Sequence, residues 1–116
     1  MKLFPFDWDN SGDNVRDSAM SNEAIAHEFM HGVSNRMTGN GKLPGCLART
    51  TSKGMGEGWS DFMAVFVGAL PEDGYDKQVA LCTYLSHSEN GIRERPYATD
   101  MNINGLILSN MKEEVC

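Results

Sequence analysis

The stretch 21–38 carries a helix start, a helical interior and a helix stop in succession. Ser21 stands at an N-cap position, Glu23 falls in the first turn, and Gly39-Asn40-Gly41 breaks the pattern at the far end. At 100° per residue, Ile25, Phe29, Val33 and Met37 share one apolar face. His27 and His31 fall on the opposite side, four residues apart, so their imidazoles stack one turn above the other.

The rest of the chain is organised around this helix. Residues 1–20 mix aromatics with Asp, Asn, Ser and Gly and read as an extended and looped lead-in, with Phe6 and Trp8 as cover for a core. Residues 39–56 are Gly-rich, contain Pro44 and have no period, which predicts a long loop. A second helix is expected from about Gly56 to Leu70. Trp59, Phe62, Met63, Phe66 and Leu70 form its broad apolar face, and Glu57, Asp61, Ala64 and Gly68 line its other side. Two carboxylates followed by two very small residues let such a helix approach another backbone closely with its acids aimed at it. Pro71-Glu72-Asp73-Gly74 is a turn. A third helix is expected over roughly 75–86, with Val79, Leu81, Cys82 and Leu85 buried, followed by loop and short elements from 88 to 116.

His27-Glu28-Phe29-Met30-His31 is an H-E-x-x-H motif within the first helix. Neutral imidazoles suit Zn²⁺, and Glu28, about 100° further round, overhangs an open coordination position where it can take the proton of a zinc-bound water. The plain alternative is a solvated helix face. A catalytic zinc needs a third protein ligand. The pattern H-E-x-x-H-x-x-G-x-x-H requires Gly and His where this chain has Ser34 and Met37, and the inverted motif H-x-x-E-H is absent. The best remaining donor is Glu57, at the start of the second helix. Asp61, one turn later, is placed to accept the N–H of a liganding histidine. An acidic helix N-terminus favoured by the macrodipole is the competing account of both, but it leaves the adjacent Ala and Gly unexplained.

Composition narrows the functional classes. The chain has 116 residues, the length of one domain, and a formal charge of −6. Without Lys/Arg clusters it lacks the footprint of a nucleic-acid partner. The longest apolar run, residues 62–70, is far short of the roughly 20 residues that span a bilayer, and Asp7 and Asp9 interrupt the N-terminal apolar stretch before signal-peptide length. Cys46, Cys82 and Cys116 contain no C-x-x-C pair; one bridge with one free thiol, or three unpaired thiols with Cys82 in the core, both fit. Arg93 and Arg95 could reach a substrate carboxylate or carbonyl, but read more simply as solvated loop charges. The eight methionines, among them Met30, Met55 and Met63, read as core filler.

Three blocks in order, residues 27–39, 54–64 and 91–97, resemble the fungalysins, the secreted fungal extracellular metalloproteinases of the thermolysin-like gluzincin group, peptidase family M36. The resemblance covers roughly residues 16–104. It implies a zinc metalloendopeptidase with one Zn²⁺ per chain, held by His27, His31 and Glu57, with Glu28 as general base and Asp61 as the partner of His27. It implies a mainly α piece of a bilobal α/β fold: a lead-in at 1–20, a partial catalytic domain at 21–104 and a divergent tail at 105–116. It further implies protein or peptide substrates, an extracellular setting, and a zymogen whose inhibitory propeptide has no counterpart here. Family members draw a histidine that stabilises the oxyanion from a downstream lobe. His87 is not in the matching context, so the chain reads as a truncated catalytic region, with a catalytically incomplete zinc-binding fragment, acting at most as a binding domain, as the alternative.

Overall fold

A computed structural model describes residues 5–6, 16–42, 44–48, 50–107 and 110. Among these the protein is mainly helical. Strands β1 (Pro5–Phe6) and β2 (Arg16–Asp17) pair antiparallel, with Pro5 opposite Asp17 and Phe6 opposite Arg16. Helix α1 spans Asn22–Met37, α2 spans Thr50–Gly68, and α3 is a single turn, Thr83–Ser86. Trp8, Cys116 and most of the lead-in and tail lie outside the described residues, as does the side chain of Phe6.

Helix α1 begins and ends where its local chemistry dictates. The Ser21 hydroxyl accepts from Ala24 N–H, and Glu23 and Arg36 sit at the ends where the helix dipole favours their charges. Beyond Thr38, whose hydroxyl donates to Ser34 carbonyl at 2.7 Å, Gly39, Asn40 and Gly41 all have positive φ. Such a run stops a helix outright.

The two long helices pack against each other through their polar faces. The apolar stripe of α1 turns mostly outward. Phe29 is 61% exposed, and Ile25 and Met37 are also exposed, while Ser34 is buried and His27 and His31 are partly buried. Helix α2 is turned the same way. Phe62 (69%) and Phe66 (67%) face solvent and stack on each other, whereas Gly56, Ser60, Asp61 and Ala64 are buried. Of the two small residues expected to let α2 approach another backbone, Ala64 is buried, but Gly68 is exposed and a Cβ there would meet nothing within 4 Å. Met55 is exposed too, so it does not fill a core.

Helix α2 starts at Thr50, before the expected Gly56. Gly54, Gly56 and Gly58 each cost a helix interior roughly 1 kcal/mol relative to Ala, which hides this turn from a propensity argument. Contacts restore it: the Ser52 hydroxyl donates to the Cys46 carbonyl, and Leu47 packs beside Gly56. The loop expected over 39–56 contains instead two 3₁₀ turns, Thr38–Gly41 and Pro44–Ala48.

The third helix contracts to α3 because the chain ahead of it is doing something else. Val79 and Tyr97 form an isolated antiparallel bridge, with N–H to carbonyl distances of 2.9 and 2.8 Å, and Cys82 adopts a left-handed conformation. Leu81, Cys82 and Leu85 are nonetheless buried as expected. Glu23 on α1 accepts the Cys82 N–H at 2.7 Å, tying this loop to the helix pair. Burial, with the nearby Glu23 charge, pushes the Cys82 thiol up; Cys82 and exposed Cys46 are both free. The turn at 71–74 forms, closed by Asp73 N–H to the Leu70 carbonyl and by Leu70 N–H to the Asp73 carboxylate.

Gly91 is needed where it stands. Its φ is +74°, and a Cβ there would lie 2.1 Å from the Leu81 carbonyl oxygen. That same oxygen accepts Ile92 N–H at 2.9 Å. Segment 91–97 is thus pinned to 79–81 by backbone alone, which fixes the base from which Arg93 and Tyr97 project.

Candidate metal centre

The face shared by α1 and α2 gathers His27, His31 and Glu57. One ligand atom from each lies within 4.8 Å of the others. His27 Nε2 is 3.3 Å from one Glu57 oxygen and His31 Nε2 is 3.5 Å from the other. The two imidazoles meet edge to face, with centroids 4.6 Å apart. Ligands held about 2.0–2.1 Å from a tetrahedral zinc stand about 3.3–3.4 Å apart. Each histidine Nε2 stands near that edge length from a Glu57 oxygen, a different oxygen for each, and two neutral imidazoles with one carboxylate are a donor set zinc accepts. The residues fit the ion.

The surroundings of these three groups are as ordered as the groups themselves. Asp61, 2% exposed, lies one turn after Glu57, with its Oδ1 2.8 Å from His27 Nδ1. An imidazole N–H directed at that carboxylate leaves the Nε2 lone pair facing Glu57. Arg93 donates to both Asp61 oxygens, Nε to Oδ2 and Nη2 to Oδ1, each at 2.7 Å. The same Nη2 reaches Glu57 Oε2 at 3.1 Å, and the Tyr97 hydroxyl donates to Asp61 Oδ2 at 2.6 Å. Burial by itself would raise the Asp61 carboxyl, but the hydrogen bonds from His27, Arg93 and Tyr97 outweigh it and hold the group well below the usual carboxylate range. Burial and the bond to Asp61 push the Tyr97 phenol up to about 12. The bond to Asp61, against the cost of burial, holds Arg93 above its ordinary range.

Glu28 is exposed on α1 between the two histidines. A cleft of about 270 Å³ opens beside the trio, lined by Asn35, Leu47 and Lys53 as well as His31 and Glu57. His87 is not part of the group. Arg95 is exposed, as a loop charge should be, but Arg93 is not the solvated charge that the sequence suggested. The signal that could have found it is the pair Glu57 and Asp61, since two acids on a face that packs closely call for a cation, and Arg93 opens the only Arg-rich segment in the chain.

A family profile of the fungalysin metallopeptidases (M36) matches residues 1–115. The chain belongs to that family. Extracellular metalloproteinase 4 of Arthroderma otae is 41% identical over 100 residues, covering 86% of this chain and 15% of that protein. Extracellular metalloproteinase MEP of Fusarium vanettenii is 43% identical over 89 residues, 77% of this chain and 14% of its own length. The corresponding enzyme of Pyrenophora tritici-repentis is 38% identical over 98 residues, 84% and 15% respectively. This fungalysin chain thus spans about 15% of the length of the curated relatives it matches. Its mainly helical fold agrees with the expected fold class; the family is one of metallopeptidases, and His27, His31 and Glu57 are a group that could hold a metal ion. Among the described residues no helix is long and apolar enough to cross a membrane.

Proposed function

We propose that the chain carries the metal centre of a secreted zinc endopeptidase that hydrolyses internal peptide bonds of protein substrates. His27, His31 and Glu57 hold one Zn²⁺, and Glu28 is the general base. The observation that supports this most directly is the spacing of 3.3 and 3.5 Å between the histidine Nε2 atoms and the Glu57 carboxylate.

Zinc bound there supplies Lewis acidity, activating water and polarising the scissile carbonyl. The chain's own residues do the rest. Asp61 holds His27 by its Nδ1, so that Nε2 is the nitrogen offered to the ion. Glu28 accepts the proton of the attacking water and passes it to the leaving amine as the C–N bond breaks, so no acyl-enzyme forms. The cleft beside His31 and Glu57 gives a peptide access from the side of α2.

A second reading, zinc binding without turnover, is favoured by the exposure of Phe29, Phe62 and Phe66, which leaves the apolar faces beside the candidate metal group uncovered. Oxyanion stabilisation is worth about 2.7–4 kcal/mol per donor, a factor of 10²–10³ in rate, so zinc binding and turnover are separable. The deciding experiment measures casein hydrolysis by the zinc-loaded chain and by its Glu28→Gln variant at matched zinc content. Cleavage by the parent alone is the expected result. Equal cleavage by both removes Glu28 from the mechanism. Zinc at one per chain, abolished by His31→Ala, with cleavage by neither protein, selects the second reading.

A further inference from the structure

We infer that Arg93, supported by Tyr97, is a positioning residue that pre-assembles the metal trio by clamping Glu57 and Asp61 to one guanidinium. The inference rests on the reading of His27, His31 and Glu57 as metal ligands and concerns what holds them in register before an ion arrives.

Glu57 and Asp61 are successive acids on one face of α2, a turn apart, and both face α1. Left alone, two carboxylates this close repel, and the buried one has no water to turn to. Arg93 spans both of them. Its Nε and Nη2 form a two-pronged contact with Asp61 at 2.7 Å, and Nη2 is shared with Glu57 Oε2 at 3.1 Å. That contact engages the Glu57 oxygen nearer His27 and leaves Oε1, 3.5 Å from His31 Nε2, without a bond to the guanidinium. A planar fork does this and an ammonium does not, because only the fork meets two carboxylates at fixed angles. Tyr97 completes the arrangement by donating, at 2.6 Å, to the same Asp61 Oδ2 that Arg93 Nε engages.

The fold supplies a rigid base for the clamp. Arg93 lies between Gly91, where no side chain fits against Leu81, and the Val79–Tyr97 bridge, so both ends of its segment are anchored by backbone hydrogen bonds. Arg95, two residues on, shares the segment and the charge but is exposed. It serves as an internal control.

The test measures zinc affinity of the 116-residue chain by chelator competition, and ligand geometry by the visible absorption of the cobalt(II) form, for the parent, Arg93→Lys, Tyr97→Phe and Arg95→Ala. Outer partners of metal ligands are worth about 10- to 100-fold in affinity. Arg93→Lys is expected to bind zinc weaker by that factor with an altered cobalt band, although its charge is kept. Tyr97→Phe is expected to lose about three- to tenfold, the worth of one hydrogen bond, and Arg95→Ala nothing. Parental affinity and cobalt spectrum in both Arg93→Lys and Tyr97→Phe overturn the inference, as does equal weakening in Arg95→Ala. If Arg93→Lys loses helical circular dichroism, Tyr97→Phe, which removes one oxygen, decides alone. A parent chain that binds no zinc instead refutes the metal reading itself and takes the inference with it.

Discussion

His27 Nδ1 and Asp61 Oδ1 stand 2.8 Å apart across the α1–α2 interface, in the least exposed part of the centre. This contact joins the H-E-x-x-H helix to the helix that brings Glu57, and it selects the imidazole nitrogen that faces Glu57. Replacing Asp61 by Asn keeps the shape but strips the charge from a group that receives His27, Arg93 and Tyr97 together. Asp61→Asn is expected to lower the stability of the metal-free chain by about 1.5–3 kcal/mol, the range for hydrogen bonds to charged groups. An unchanged urea midpoint would show that Asp61 is dispensable to the helix pair.

Gly91 and Gly58 make opposite predictions from the same substitution. Around Gly58, inside α2, an added methyl group meets nothing within 4 Å, so Gly58→Ala is expected to stabilise by about 0.5–1 kcal/mol. At Gly91 an added methyl group strikes the Leu81 carbonyl and must also adopt positive φ. Gly91→Ala should therefore cost more than the roughly 1–2 kcal/mol of a left-handed alanine alone. Thermal melts of the two variants would contradict the described loop if they shifted in the same direction.

Tyr97 offers a pH signature. Its phenol is raised to about 12 in the folded chain, above the ordinary value near 10. A raised group contributes stability that is fully present below its unfolded pKa and is lost as pH climbs through its folded one. The contribution should then disappear between about pH 10 and 12. Absorbance titration at 295 nm of the parent minus Tyr97→Phe should show a single step near 12; a step near 10 means the bond to Asp61 does not persist in solution.

Ser60 lies fully buried on α2, and its hydroxyl finds no hydrogen-bond partner among the described residues. An unsatisfied buried polar atom costs about 1–3 kcal/mol, and alanine is the better helix former. Ser60→Ala is expected to gain roughly 1 kcal/mol. A loss of similar size in chemical denaturation would reveal a bound water or an unrecognised acceptor at this spot.

Features set by neighbouring residues were legible from the sequence. The limits of α1 follow from Ser21 and Gly39-Asn40-Gly41, and the shared face of Glu57, Asp61 and Ala64 follows from helical periodicity alone. Periodicity says which residues share a face, not which face turns inward. The Glu57 and Asp61 face of α2 meets the histidine face of α1, while Phe29 and Phe62 stay exposed. Arg93 escaped for another reason: it lies 32 residues from Asp61, and the Val79–Tyr97 bridge with the Ile92 to Leu81 hydrogen bond carries it there. The first turns of α2 stayed hidden because their glycines argue against a helix that Cys46 and Leu47 hold in place.

The outward aromatic faces also set how molecules of this chain behave toward one another. With Phe29, Phe62 and Phe66 presented to water, mutual repulsion from a formal charge of −6 is what keeps neighbouring molecules apart at neutral pH. That repulsion vanishes near the isoelectric point of about 4.9 and is screened by salt. The colloidal stability of the chain by itself is therefore expected to be electrostatic, falling as pH drops toward the isoelectric point and as salt rises.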